Sequence, residues 1–107
     1  MKLYHATPVD NMAEIFKFGL KATNGMTFLA ESENLARAFA VTYNWTPYAI
    51  FEVNISPNAV VRSYDHNEDY FKELINSDTA KCYMTFSDIP KESIKLMGVW
   101  EFDKFRG

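Results

Sequence analysis

The chain has 107 residues, 48% of them hydrophobic and 23% charged, and a formal charge of −3. That length and composition suit one folded domain spanning residues 1–107, and they exclude both a disordered chain and two ordinary domains. With an acidic balance and no Lys/Arg stripe, binding driven by neutralised nucleic-acid phosphates is not indicated, although local cations remain for a small ligand.

The first strand is predicted over residues 2–6, closed by Thr7-Pro8. Asp10 or Asn11 can cap a helix, and Asn11 with Glu14 has the spacing of a capping-box pair; the helix that follows places Met12, Ile15, Phe16 and Leu20 on one face. Gly19 is placed to end it in the left-handed conformation. Lys21–Gly25 reads as a loop and Met26–Ala30 as a second strand. Ser32 is a good N-cap for a helix over Glu33–Tyr43, with Leu35, Ala38, Phe39 and Thr42 along one side. Asn44–Pro47 breaks that helix.

Tyr48–Ile55 alternates as a strand, Pro57-Asn58 turns the chain, and Ala59–Arg62 extends the sheet. A third helix is expected from about Asn67 to Asn76, burying Tyr70, Phe71 and Leu74. Ala80–Phe86 is a strand, Asp88-Ile89-Pro90 a turn, and Ser93–Met97 and Val99–Phe102 are two short strands. Strands crowd the end of the chain instead of alternating with helices, so the expected class is α+β.

Aromatic residues reach 16%, with nine Phe and six Tyr, a proportion that serves a core and equally lines a ligand cleft. His5 sits in an apolar strand and therefore needs a hydrogen-bond partner, from the backbone or from a ligand. Phe28 in the second strand and Phe39 in the next helix, with Tyr43 one turn on, are spaced to sandwich a flat heterocycle; packing in the core is the other reading. Asp65-His66-Asn67-Glu68-Asp69 lacks the glycine and distal Glu of a calcium loop and reads as a capped helix start. One cysteine and two separated histidines make no zinc framework. Cys82 reads as a small buried hydrophobe. MKLYHATPVD lacks the apolar run of a signal peptide and no stretch approaches membrane-spanning length, so a cytoplasmic protein with no membrane partner is expected.

Taken in order, His5 followed by Thr7, the run Asn11-Met-Ala-Glu-Ile-Phe-Lys-Phe-Gly-Leu20, Thr27-Phe28-Leu-Ala30 with Ala36-Arg-Ala-Phe39-Ala40, and the turn Asp88-Ile-Pro resemble the ADP-ribosyltransferase superfamily. The likeness is strongest to its compact prokaryotic and phage-encoded members. His-Ala-Thr-Pro and Cys82-Tyr-Met are also similar to segments of phage anti-CRISPR ADP-ribosyltransferases. The resemblance implies a split mixed or antiparallel sheet with two to three flanking helices. It also implies NAD as substrate, and transfer of ADP-ribose to a protein or nucleic-acid target, as a phage effector against host defence. By the same resemblance His5 and Thr7 hold the ribose and adenosine side, while Phe28, Phe39 and Tyr43 stack on nicotinamide.

The family's catalytic glutamate has no counterpart in Cys82–Phe86, where no carboxylate occurs. Cleavage of the nicotinamide bond builds positive charge on the ribose, which a nearby carboxylate stabilises, so Asp78 becomes the expected catalytic carboxylate beside His5. Glu52 and Glu101 read as solvated strand residues. A catalytically silent member that inhibits a macromolecular partner is the alternative. An RNA 2′-phosphotransferase ranks last, because only Arg37, Arg62 and Arg106 are available for its phosphate.

Overall fold

The computed structural model of the protein describes residues 1–22 and 25–102. Six strands are formed among them: β1 (Lys2–Pro8), β2 (Thr27–Ala30), β3 (Tyr48–Asn54), β4 (Val61–Ser63), β5 (Cys82–Thr85) and β6 (Ile94–Trp100). They lie in the order β4-β5-β2-β1-β3-β6, with every neighbouring pair antiparallel. Three helices flank the sheet: α1 (Met12–Phe18), α2 (Glu33–Thr42) and α3 (Glu68–Leu74). The class is α+β, as expected. No described helix is long and apolar enough to cross a membrane.

The apolar N-terminal run becomes the strand at the middle of the sheet, and it extends through Thr7 to Pro8, past the predicted stop. Pro8 faces Tyr48 at the strand end, where the missing N–H interrupts nothing further along the ladder. At the far edge, the two short strands expected at the C-terminal end are one. β6 runs unbroken through Gly98, and the register with β3 slips by a bulge at Ile50/Phe51. A Cβ at Gly98 would stand 2.9 Å from the Trp100 ring, so the glycine makes room for that indole.

The capping box at α1 is not formed. A 3-10 turn over Val9–Asn11 leads directly into the helix, Asn11 already has helical backbone angles, and its side-chain amide donates to Thr7 Oγ1 at 2.9 Å instead. Ile15 and Leu20 are buried, whereas Phe16 stays half exposed and sets its ring edge-on to Phe51. Gly19 does have a positive φ of 80°, but its ψ of −167° lies outside the left-handed helical basin. A Cβ there would lie 2.2 Å from the Ile89 carbonyl oxygen, so only glycine fits.

Ser32 caps α2 as expected, its Oγ accepting from Leu35 N at 3.1 Å. The buried face is Leu35, Ala36, Ala38 and Ala40; Thr42 points to solvent, because the alanines bring a different stripe down onto the sheet. Asn67 caps α3, accepting from Tyr70 N at 3.1 Å. That helix has only seven residues, so Phe71 alone is buried, while Tyr70 and Leu74 are about half exposed.

Both faces of the sheet carry a core. One gathers Leu35, Ala36, Phe71, Ala6, Ile50 and Cys82 with their neighbours from α2, α3 and the strands. The other gathers Leu3, Ile15, Leu20, Leu29, Phe51 and Ile89 under α1. β3 is buried on both faces for this reason and does not alternate as the sequence suggested.

Candidate functional site

The sheet is well zipped except at one seam. β1 and β3 stay in register from Lys2–Asn54 to Pro8–Tyr48, and β2 and β5 from Thr27–Thr85 to Ala30–Cys82. Between β1 and β2 only Tyr4 and Ala30 pair. Beyond that pair the strands part, and the His5 imidazole takes up a backbone group left in the gap, with Nδ1 3.0 Å from the Phe28 carbonyl oxygen. A carbonyl can only accept, so Nδ1 carries the proton and Nε2 of the neutral ring is an acceptor. Nε2 has no hydrogen-bond partner among the described residues. Desolvation lowers the His5 pKa, against a smaller upward pull from the Phe28 bond, which favours that neutral form.

A cavity of about 340 Å³ opens at this seam, within the range of small-molecule sites, ~300–1,000 Å³. A single register row crosses it: Ser63 faces Cys82, Cys82 faces Ala30, and Ala30 faces Tyr4, and all four line the cavity. The walls draw on both cores, with Leu20 and Leu29 from one and Ala36 from the other. Phe39, Tyr43 and Trp45 form an aromatic wall, Tyr43 lying nearly parallel to Phe39 at 6.3 Å and tilted against Trp45 at 5.4 Å.

Of the residues singled out from the sequence, His5, Phe28, Phe39 and Tyr43 line this one cavity. Phe28 is 42% exposed and Tyr43 58%, so both offer ring surface to a ligand. Thr7 is buried and its hydroxyl accepts the Asn11 amide; it does not line the cavity. Asp78 lies exposed in the connection between α3 and β5, also away from the lining. Cys82 is buried, and burial pushes its thiol up to about 12, with the Glu31 carboxylate adding to the rise. Glu52 is part-buried and pairs with Lys2 at 3.7 Å, while Glu101 is exposed.

Lys21, Asp65 and His66 are polar residues of the lining that the sequence did not assign to a site. Lys21 stands in the lining and pairs with Asp88 at 3.4 Å; Asp88 also accepts from Ala22 N, the larger cause of its lowered pKa. Asp65 and His66 come from the connection between β4 and α3. His66 Nε2 lies 2.5 Å from the Ala80 carbonyl oxygen, so it is the donor, and Nδ1 is left buried and, among the described residues, without a partner. No local signal marks these residues; the Ser63–Cys82–Ala30 register brings in Asp65 and His66, and the Leu20–Ile89 bridge with the Asp88 pair places Lys21. Among the described residues no group of three metal-ligating side chains is assembled.

No family model and no curated protein matches this chain. The cavity therefore speaks through its chemistry. It offers flat aromatic surface, two imidazoles each held by a backbone carbonyl, one cation and one carboxylate. That set fits a planar ring joined to a hydroxylated, partly anionic body.

Proposed function

We propose that the protein is an NAD-dependent ADP-ribosyltransferase acting on a protein or nucleic-acid target, with the cavity at the β1–β2 seam as its NAD site. The observation that carries this reading is the His5–Phe28 contact at the mouth of a sheet that parts there. It leaves His5 Nε2 as an acceptor suited to a ribose hydroxyl. Phe28, Phe39 and Tyr43 supply ring faces for nicotinamide, and Lys21 supplies a cation for the pyrophosphate. The antiparallel sheet with three flanking helices is consistent with the fold that the sequence resemblance implies. An anti-defence role in a phage belongs to the same proposal and follows from the resemblance alone.

Calorimetry with NAD tests the site. The native chain is expected to bind, and His5→Ala to lose binding with its thermal transition retained; equal affinity in the two proteins refutes the assignment. Release of nicotinamide and labelling of a target in lysate then test the activity.

One observation favours the silent alternative, in which the chain inhibits a partner without turnover. β5 presents Cys82 where a carboxylate is expected, and that thiol stays protonated. A stoichiometric complex formed without consumption of NAD supports that reading. The 2′-phosphotransferase reading gains nothing. Arg37 is held by Glu33 and stacks on Trp100, Arg62 is held by Glu68, and neither lines the cavity. Arg106 lies outside the described residues.

A further inference from the structure

The cavity holds a carboxylate, and it is not the one the sequence pointed to. Among the described residues Asp65 is the sole acidic one in the lining. Its carboxylate forms no salt bridge or hydrogen bond among the described residues; only its backbone N–H is engaged, by Ser63 Oγ at 3.5 Å. An exposed acid would ordinarily swing freely, but the chain around this one is fixed on both sides. Ser63 is buried in β4 opposite Cys82. His66, the next residue, is tied through Nε2 to the Ala80 carbonyl, and Asn67 after it caps α3. The backbone that carries Asp65 is thus anchored to two strands and a helix, while its carboxylate has no partner among the described residues.

We infer that Asp65, reached from the β4–α3 connection, is the carboxylate that stabilises the reacting ribose in this cavity. The inference rests on the NAD reading given above and assigns its missing group. Ser63 lies three strands from Tyr4 along the cavity row, a span of ~14 Å at the usual strand spacing. The connection that carries Asp65 therefore enters the lining from the β4 side, while His5 enters it from β1, so a substrate lying along the row meets an acceptor nitrogen from one strand and a negative charge from the far connection. In the reaction the C1′–N bond to nicotinamide breaks and its electron pair stays on the ring nitrogen, neutralising it. Positive charge is left across C1′ and the ring oxygen. An acceptor oxygen or nitrogen then bonds to C1′ and gives up its proton to solvent. Asp65 lowers the barrier by facing the charge that develops, a contribution made in the transition state more than in the bound ground state. His66 acts through Asp65 as a positioning residue.

Asp65→Asn keeps size and polarity at an exposed position, so folding is not at risk. Calorimetry with NAD and nicotinamide release are measured on the native chain, Asp65→Asn and Asp78→Asn. The expected result is that Asp65→Asn slows release ~100-fold or more while NAD affinity stays within about threefold. Release unchanged in Asp65→Asn, or the drop appearing in Asp78→Asn instead, overturns this inference and leaves the NAD reading standing. A native chain that binds NAD but releases no nicotinamide overturns it too, in favour of the silent alternative. A native chain that does not bind NAD removes both the reading and the inference.

Discussion

Glu31 lies in the short turn between β2 and α2, and its replacement by alanine tests how the cavity's far wall is held. Its carboxylate accepts the Thr79 hydroxyl with one oxygen and the Lys81 N–H with the other, at 3.0 Å for the latter. The Glu31 N–H in turn donates to the Lys81 carbonyl at 3.0 Å. Between those two residues is Ala80, whose carbonyl orients His66. Hydrogen bonds to charged groups contribute ~1.5–3 kcal/mol each. The three residues are part-buried, so water replaces some of what is lost, and Glu31→Ala should cost about 2–3 kcal/mol in total. In a domain of this size 1 kcal/mol moves the midpoint by ~4–8 °C, which predicts a fall of about 10–20 °C in thermal unfolding followed by circular dichroism. Glu31→Gln keeps one acceptor and should lose about 1 kcal/mol. A Glu31→Ala midpoint within about 3 °C of the native one would refute the clasp.

Three further outcomes follow from the same contacts. Gly19→Ala should destabilise by more than the ~1–3 kcal/mol of a strained backbone angle, because its Cβ also collides with the Ile89 carbonyl; a midpoint equal to native in urea unfolding would contradict this. Acidification should weaken the fold through His5. Its folded pKa is below the ordinary value, so as pH falls below about 6.5 the unfolded chain takes up a proton that the native one refuses, by at most ~1.4 kcal/mol per pH unit. Above that pH His5 contributes no slope, and His5→Gln should remove this part of the acid dependence. Cys82, buried and with its thiol pushed up to about 12, should resist iodoacetamide at pH 8 in the native protein and react in denaturant; rapid labelling of the native chain would argue against its burial.

What the sequence revealed and what it hid divide along local and non-local lines. His5 stood out because an imidazole in an apolar strand must find a partner, and Ser32 and Asn67 declared their helices because capping is settled within three residues. Phe39 and Phe28 were recognisable as a pair from the strand-to-helix spacing. The asparagine at position 11 misled, since its amide found Thr7 before it found the helix end. Tyr70 and Leu74 fit a buried helical stripe by spacing, yet α3 is too short to press more than Phe71 into the core. Asp65 and His66 were the most consequential omissions. They resemble an ordinary solvated helix start, and only the pairing of Ser63 with Cys82, nineteen positions apart by number, carries them to the cavity. Likewise Asp78 is close to β5 in sequence, but the connection it belongs to stays outside the lining.

The lone Tyr4–Ala30 pair gives the sheet an uneven rigidity. β1, β3 and β6 form one zipped plate, and β2, β5 and β4 another. Leu3 with Leu29 beneath and Ala6 with Ala30 above belong to cores that span the gap, so the plates are fastened by side chains where backbone pairing is missing. Packed side chains tolerate small rotations that a ladder of hydrogen bonds does not. The expectation is a domain stiff within each plate and compliant between them. Amide hydrogen exchange should register this as slow exchange through β3 and faster exchange at the slot-facing amides of β1 and β2. A ligand that bridges His5 to the far wall would act as a rivet, slowing exchange along the slot first and leaving β3 as it was.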